Sequence, residues 1–156
     1  MTVSDNAAAV LQIMKLKNSY MELCDLGYPP KPLGAMFVED GVWTSPSFGT
    51  YVGRAEIERF FCETSSSIVF AAHLALNLII DVAADGQSAT GRWRILMPFT
   101  RSEGQGRVAR WILGDYAEQY VLRDGEWMFA RVDFFVNFDV AHEGTWAGLE
   151  LVRPPD

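Results

Sequence analysis

His73 stands inside a run of small and apolar residues, Phe70-Ala-Ala-His-Leu-Ala-Leu-Asn-Leu-Ile-Ile-Asp-Val82, and is one of two histidines in the chain. Imidazole has the unperturbed pKa closest to neutrality, so it can take up or release a proton near pH 7. Amid hydrocarbon it is either a packed ring with a satisfied hydrogen bond or the centre of a proton-transfer site. Asp25 is the second candidate. It falls in the last turn of an expected first helix, where the carbonyl end of the helix dipole disfavours negative charge by roughly 0.3–1 kcal/mol. A carboxylate there is either solvated or held by a donor, and His73 could be that donor. Bonding to one ring nitrogen would fix the tautomer and stabilise the imidazolium, leaving the other nitrogen as general base. Tyr20 precedes Asp25 by five residues, about 140° around an ideal helix. The two share a site only where the helix end unwinds or the pocket wraps around it. A phenol there could protonate a leaving oxygen, polarise a carbonyl, or simply pack.

Arg131 lies among rings on a late strand and would be costly to bury unpaired, so it needs Asp133, another acid or an anionic ligand. Asn77 is either a ligand donor or a solvent-facing amide. No Gly-rich phosphate loop precedes a helix, and no GxSxG elbow is present. Two histidines without a nearby acidic cluster point to no metal site. The chemistry left open is acid–base catalysis without a metal or cofactor.

These residues must be positioned by one domain. The chain has 156 residues, 49% hydrophobic and 21% charged, enough for a self-sufficient core over residues 1–156, with the core at about 8–140 and a tail at 141–156. Five Trp, five Tyr and ten Phe suit a ring-lined pocket for a flat or greasy ligand, or simply a ring-rich core. A net charge of −7 without a basic stripe argues against nucleic acid and an anionic membrane surface as partners. Cys24 and Cys62 show no metal-ligand spacing; free thiols are the simplest reading, with one disulfide left open. The first residues lack a basic segment and an apolar run, and no stretch reaches membrane-span length, so a cytoplasmic protein is expected.

Val10, Ile13, Met14, Lys17, Met21 and Cys24 recur at helical spacing, predicting a helix over 6–26 with Ser4 or Asp5 as N-cap and an end at Gly27 and Pro29-Pro30. A short helical turn is expected over 33–37, a strand over 42–45, and a helix from Arg54 to Thr64 with Ile57, Phe60 and Phe61 on its apolar face. Strands are predicted over 70–82, 88–100, 108–123 and 126–139, separated by Asp85-Gly86, Ser102-Glu103-Gly104 and Asp124-Gly125. This order predicts an α+β domain with a curved sheet. Strict alternation puts Leu74, Leu76, Leu78, Ile80 and Val82 on one wholly apolar face. It puts Trp127, Phe129, Arg131, Asp133, Phe135 and Asn137 together on a mixed face that could wall a cavity. An apolar sheet face calls for cover by helices or by another subunit.

The segments Leu16-Lys-Asn-Ser-Tyr20-Met-Glu-Leu-Cys-Asp25, Phe37-Val-Glu-Asp-Gly-Val-Trp43-Thr44, Phe48-Gly-Thr-Tyr-Val-Gly53, Gly91-Arg-Trp93 and Asp124-Gly-Glu-Trp127 resemble, in order and spacing, the SnoaL-like, scytalone dehydratase-like branch of the NTF2-like superfamily. Bile acid 7α-dehydratase and lindane dehydrochlorinase belong near this branch. The resemblance covers about 8–140. It implies a cone in which a mixed, mainly antiparallel sheet wraps around N-terminal helices. It also implies a His–Asp dyad at His73 and Asp25, with Tyr20 and Arg131 as further catalytic residues. Trp43, Phe129, Phe135, Asn77 and Met97 are expected in the substrate pocket, Met97 standing near where the bile-acid enzyme has an acid. A tyrosine at position 20, where the dehydrochlorinase has a lysine, argues for an oxygen leaving group. The expected function is a cofactor-independent, dehydratase-like lyase acting on a hydrophobic cyclic small molecule. A non-catalytic binding or oligomerisation domain, and a polyketide cyclase or isomerase, are the alternatives. A homodimer or homotrimer is expected from the fold and the apolar sheet face.

Overall fold

The structure, a computed structural model, describes residues 3–142. The N-terminal helix α1 (Val3–Asp25) buries Ile13, Lys17, Tyr20, Met21 and Cys24 along one stripe, at the three- and four-residue spacing of its apolar positions. It starts earlier than expected, so Ser4 and Asp5 lie within its first turn instead of capping it. Its end is set by Gly27, whose left-handed φ of 94° lets Tyr28 N–H return to the Leu23 carbonyl at 3.1 Å. Pro30 then opens α2 (Pro30–Ala35) instead of merely ending α1, because a first helical position needs no N–H donor. The expected turn at 33–37 therefore begins three residues sooner.

Strand β1 (Phe37–Ser45) pairs with β2 (Gly49–Val52), and α3 (Arg54–Ser65) follows, burying Ile57, Phe60 and Phe61. Five further strands complete a seven-stranded sheet: β3 (Ile68–Ala71), β4 (Leu74–Val82), β5 (Ser88–Glu103), β6 (Gly106–Arg123) and β7 (Glu126–Ala141). The order is β2-β1-β7-β6-β5-β3, with β4 also pairing to β5. Only the β1–β7 pair is parallel among these ladders. The β6–β7 turn follows from its residues, since Asp124 and Gly125 both take positive φ, 51° and 84°, as a tight two-residue hairpin demands. The architecture is the expected α+β one, a curved, mostly antiparallel sheet with its helices at the N-terminal end.

The helix stripe shares one core with Trp93, Ile95 and Met97 of β5, Ile112, Tyr116 and Tyr120 of β6, and Phe129, Val132 and Phe134 of β7. That identifies the inner sheet face. Gly91 of the Gly-Arg-Trp segment is small for a packing reason: a Cβ there would lie 2.7 Å from the Tyr120 ring. Within this core Lys17 and Glu118, both side chains at 0% exposure, form an ion pair. Tyr120 donates to the same carboxylate, and the Lys17 ammonium lies 3.5 Å from the Tyr116 ring centroid. Burial nonetheless pulls the Lys17 pKa down, against the opposing pull of Glu118.

The expected alternation fails at three places, each an extra residue in a ladder. On β7, Arg131 pairs with Gln119 but Phe129 with Tyr120, leaving Ala130 over; Phe138 pairs with Leu113 but Val136 with Gly114, leaving Asn137 over. On β4 the register slips between Leu76 and Ile79, where Asn77 has φ 53°. Each bulge reverses which residues face inward. Leu74 and Leu76 are exposed before the β4 bulge and Ile79 after it, so no single apolar face runs the length of β4. The predicted 70–82 strand is also interrupted at Ala72 and His73.

Candidate active site

The break at His73 exposes a backbone N–H that has no ladder partner, and Asp25 satisfies it. One carboxylate oxygen, Asp25 Oδ1, accepts the His73 backbone N–H at 2.9 Å and its ring Nδ1–H at 2.6 Å. The charge that sits unfavourably at the end of α1 is thus held by two donors from across the molecule. A carboxylate acceptor at Nδ1 assigns the ring proton to that nitrogen, leaving Nε2 with its lone pair. The His73 side chain is 5% exposed and Asp25 35%, so the base is sheltered while its partner touches water.

Nε2 lies 3.2 Å from the Tyr28 hydroxyl, and His73 and Tyr28 both line a cavity of about 180 Å³. Rings make most of the wall: Trp43 packs on Phe60 at 4.2 Å between centroids, and Tyr116 stacks on Phe134 at 4.7 Å. Tyr20 lines it as well, its hydroxyl accepting the Trp43 indole N–H at 3.1 Å. Burial pushes the phenols of Tyr20, Tyr28 and Tyr116 well above their ordinary range, so all three are protonated donors at neutral pH. Arg101 and Asp139, the more exposed charged lining groups, mark the solvent side of the cavity. Arg101 binds Glu103 at 2.6 Å, and Arg110 links Asp139 at 2.7 Å to Glu103 at 3.5 Å.

The structure therefore brings His73, Asp25, Tyr20, Trp43 and Met97 to one place. It does not bring Arg131, Phe129, Phe135 or Asn77 to the cavity wall. The Ala130 bulge turns Arg131 to the outer sheet face, where it makes a two-pronged pair with Asp133 at 2.7 and 2.8 Å, and this pair raises its pKa. Phe135 follows it outward and is 47% exposed. Phe129 faces inward but is sealed in the core against Tyr20, Phe37 and Tyr120. Asn77 occupies the exposed β4 bulge. The cavity's arginine is Arg101, from β5.

Tyr28, Tyr116, Arg101 and Asp139 were not singled out by sequence reasoning as site residues. Tyr28 sits between Gly27 and Pro29 at the end of α1, and Asp139 comes inward because the Asn137 bulge cancels the shift made at Ala130. Cys24 is buried, Cys62 exposed, and both are free. Among the described residues no three His, Cys, Asp or Glu groups could together hold a metal ion, and no helix is long and apolar enough to cross a membrane. His142, expected in the tail, continues from β7 and accepts the Trp111 indole N–H at 3.1 Å. The tail beyond it lies outside the described residues.

No curated protein sequence matches the chain. Solved structures do. A type 2 hexachlorocyclohexane dehydrochlorinase (LinA) is 21% identical, with a TM-score of 0.82 over 98% of this chain and 99% of that one. LinA-type3 from Novosphingobium barchaimii LL02 is 21% identical, with a TM-score of 0.80 over 98% and 100%. A scytalone dehydratase-like protein from Novosphingobium aromaticivorans DSM 12444 is 21% identical, with a TM-score of 0.79 over 99% and 100%. At this identity the likeness is one of fold. Residues 5–133 match the SnoaL-like domain, and on that match the chain belongs to the SnoaL-like family.

Proposed function

We propose that the protein is a cofactor-independent lyase that performs a dehydratase-like elimination on a hydrophobic cyclic small molecule. The observation that supports this most is the Asp25 oxygen that holds both the backbone and the ring of His73, a residue that lines a cavity walled mostly by rings. A base so oriented removes a proton next to an activating carbonyl, and the Asp25 carboxylate stabilises the imidazolium that results. Tyr20 donates a hydrogen bond to a substrate oxygen on which negative charge develops. Arg101 is the cavity's cationic group for that charge. Elimination is also the reaction named in the dehydrochlorinase and dehydratase relatives of this fold. Cytoplasmic residence accords with the two free cysteines.

The test is a screen of the purified protein against cyclic β-hydroxy ketones, with water loss followed by mass spectrometry. Wild-type turnover with loss of at least about 10²-fold in a folded His73→Ala variant is the expected result. An equally active His73→Ala variant removes the mechanism. A product isomeric with the substrate indicates isomerisation by the same base.

We also propose self-association through the outer sheet face as a homodimer or homotrimer. The register aligns Leu74, Leu96, Leu113 and Phe138 in one row across four strands. The next row runs Leu76, Arg94, Asp115 and Phe135. Apolar contact flanked by both signs of charge lets like faces meet despite the overall negative charge. Sedimentation should give two or three chains for the wild type and one for Leu76→Glu/Phe138→Glu; a monomeric wild type overturns the proposal.

A further inference from the structure

We propose that the Tyr28 hydroxyl is the acid that delivers a proton to the departing oxygen, beside the base that removes the proton from carbon. This rests on the lyase reading above. Tyr28 follows Gly27 and has φ 56°, a left-handed backbone that is strained for a bulky aromatic residue. The strain is held by its N–H bond to Leu23 and by the ring, which stacks on Phe61 at 6.3 Å and meets the His73 ring edge-on at 5.7 Å. A phenylalanine would fill the same stack, so packing explains the ring but not its hydroxyl. Tyr28 lines the cavity, and the hydrogen-bond partner of its hydroxyl is His73 Nε2 at 3.2 Å. Since Nδ1 carries the proton donated to Asp25, Nε2 accepts and the phenol donates.

The step balances without a co-reactant. As substrate binds, the Tyr28 O–H turns from Nε2 to the substrate oxygen; the freed Nε2 lone pair takes the proton from carbon, and the C–H electrons form the double bond. The C–O bond breaks with its electrons on oxygen, and the Tyr28 O–H proton passes to that oxygen, releasing water. The phenolate then takes the proton from Nε2–H, restoring both groups. With acid and base 3.2 Å apart, the hydrogen and the oxygen leave from the same side of the substrate.

The test compares 3-hydroxycyclohexanone with 3-acetoxycyclohexanone, both of which yield cyclohexenone, followed by its ultraviolet absorbance. Hydroxide must be protonated to leave, whereas acetate leaves unaided. Folded Tyr28→Phe is expected to lose about 10²–10⁴-fold in kcat on the alcohol and less than about tenfold on the acetate, while His73→Ala loses both. Equal loss on the two compounds, or no loss on either, overturns the assignment while leaving the lyase reading intact. A wild type inert towards both, or an active His73→Ala variant, overturns that reading and this one with it. Independently of substrate, the ¹⁵N resonance of His73 Nε2 should move in Tyr28→Phe; an unmoved resonance overturns the contact.

Discussion

Replacing Asp25 by asparagine separates the geometric part of the dyad from its charge. An asparagine Oδ1 can still accept both the backbone N–H and the ring Nδ1–H of His73, so the arrangement persists. What disappears is the charge-assisted part, about 1 kcal/mol for each bond at full burial and roughly half that for a side chain 35% exposed. Against this loss of about 1 kcal/mol stands the relief of a negative charge at a helix C-terminus, about 0.3–1 kcal/mol. Asp25→Asn is therefore expected to change stability by less than about 1 kcal/mol. Asp25→Ala instead leaves two donors without an acceptor, at about 1–3 kcal/mol each for buried groups. With partial solvation this becomes about 2–4 kcal/mol in total, or about 4–16 °C in Tm for a chain of this length. Turnover should behave differently. The imidazolium formed in the transition state loses its counter-charge in both variants, lowering kcat by about 10²–10⁴-fold in each. Urea unfolding monitored by near-ultraviolet circular dichroism, together with the cyclohexenone assay, measures both quantities. An Asp25→Asn variant that loses more than about 3 kcal/mol, or that turns over like the wild type, refutes the reasoning.

The buried Lys17–Glu118 pair gives a second expectation. Lys17→Met strands a carboxylate at zero exposure and should destabilise by about 3–5 kcal/mol, whereas Lys17→Met/Glu118→Gln, in which Tyr120 keeps an acceptor, should recover most of that in denaturant titrations. Alkaline pH supplies a third. Burial raises the pKa of Tyr20, Tyr28, Tyr116 and Tyr120, so above about pH 10 the unfolded chain loses protons that the folded chain keeps. Their contribution to stability is complete below the unfolded value and falls as pH rises through it, by up to about 1.4 kcal/mol per pH unit for each phenol. Lys17, with its pKa lowered, acts oppositely below 10.5, but it is one group against four. The urea midpoint should drop steeply between pH 9.5 and 11; a flat profile contradicts the burial of these hydroxyls.

Local chemistry made much of the fold legible. The periodic stripe of α1 picked out Lys17 as a core-facing position, and it is buried. Asp124-Gly125 located a hairpin, and Ile57, Phe60 and Phe61 oriented α3. What was hidden depended on distance or on single-residue slips. Glu118, the partner of Lys17, lies 101 residues further along the chain. Strict alternation groups Arg131 and Phe135 with Phe129 on one face, and the leftover Ala130 undoes that grouping. Period-two patterns carry no mark of a bulge when the extra residue is an alanine or an asparagine. The left-handed Tyr28 was equally invisible, since nothing local requires a tyrosine to adopt that backbone.

The two leftover residues of β7 also bear on how such a pocket can change. Because each one is an extra residue in its ladder, its loss would close the bulge and leave the pairs on either side, Phe129 with Tyr120 and Arg131 with Gln119 at the first, unchanged. Loss of Ala130 would therefore keep Val132 and Phe134 inside and the Arg131–Asp133 pair outside. The bulges thus let this strand absorb the loss of a residue without exchanging the side chains that face the cavity.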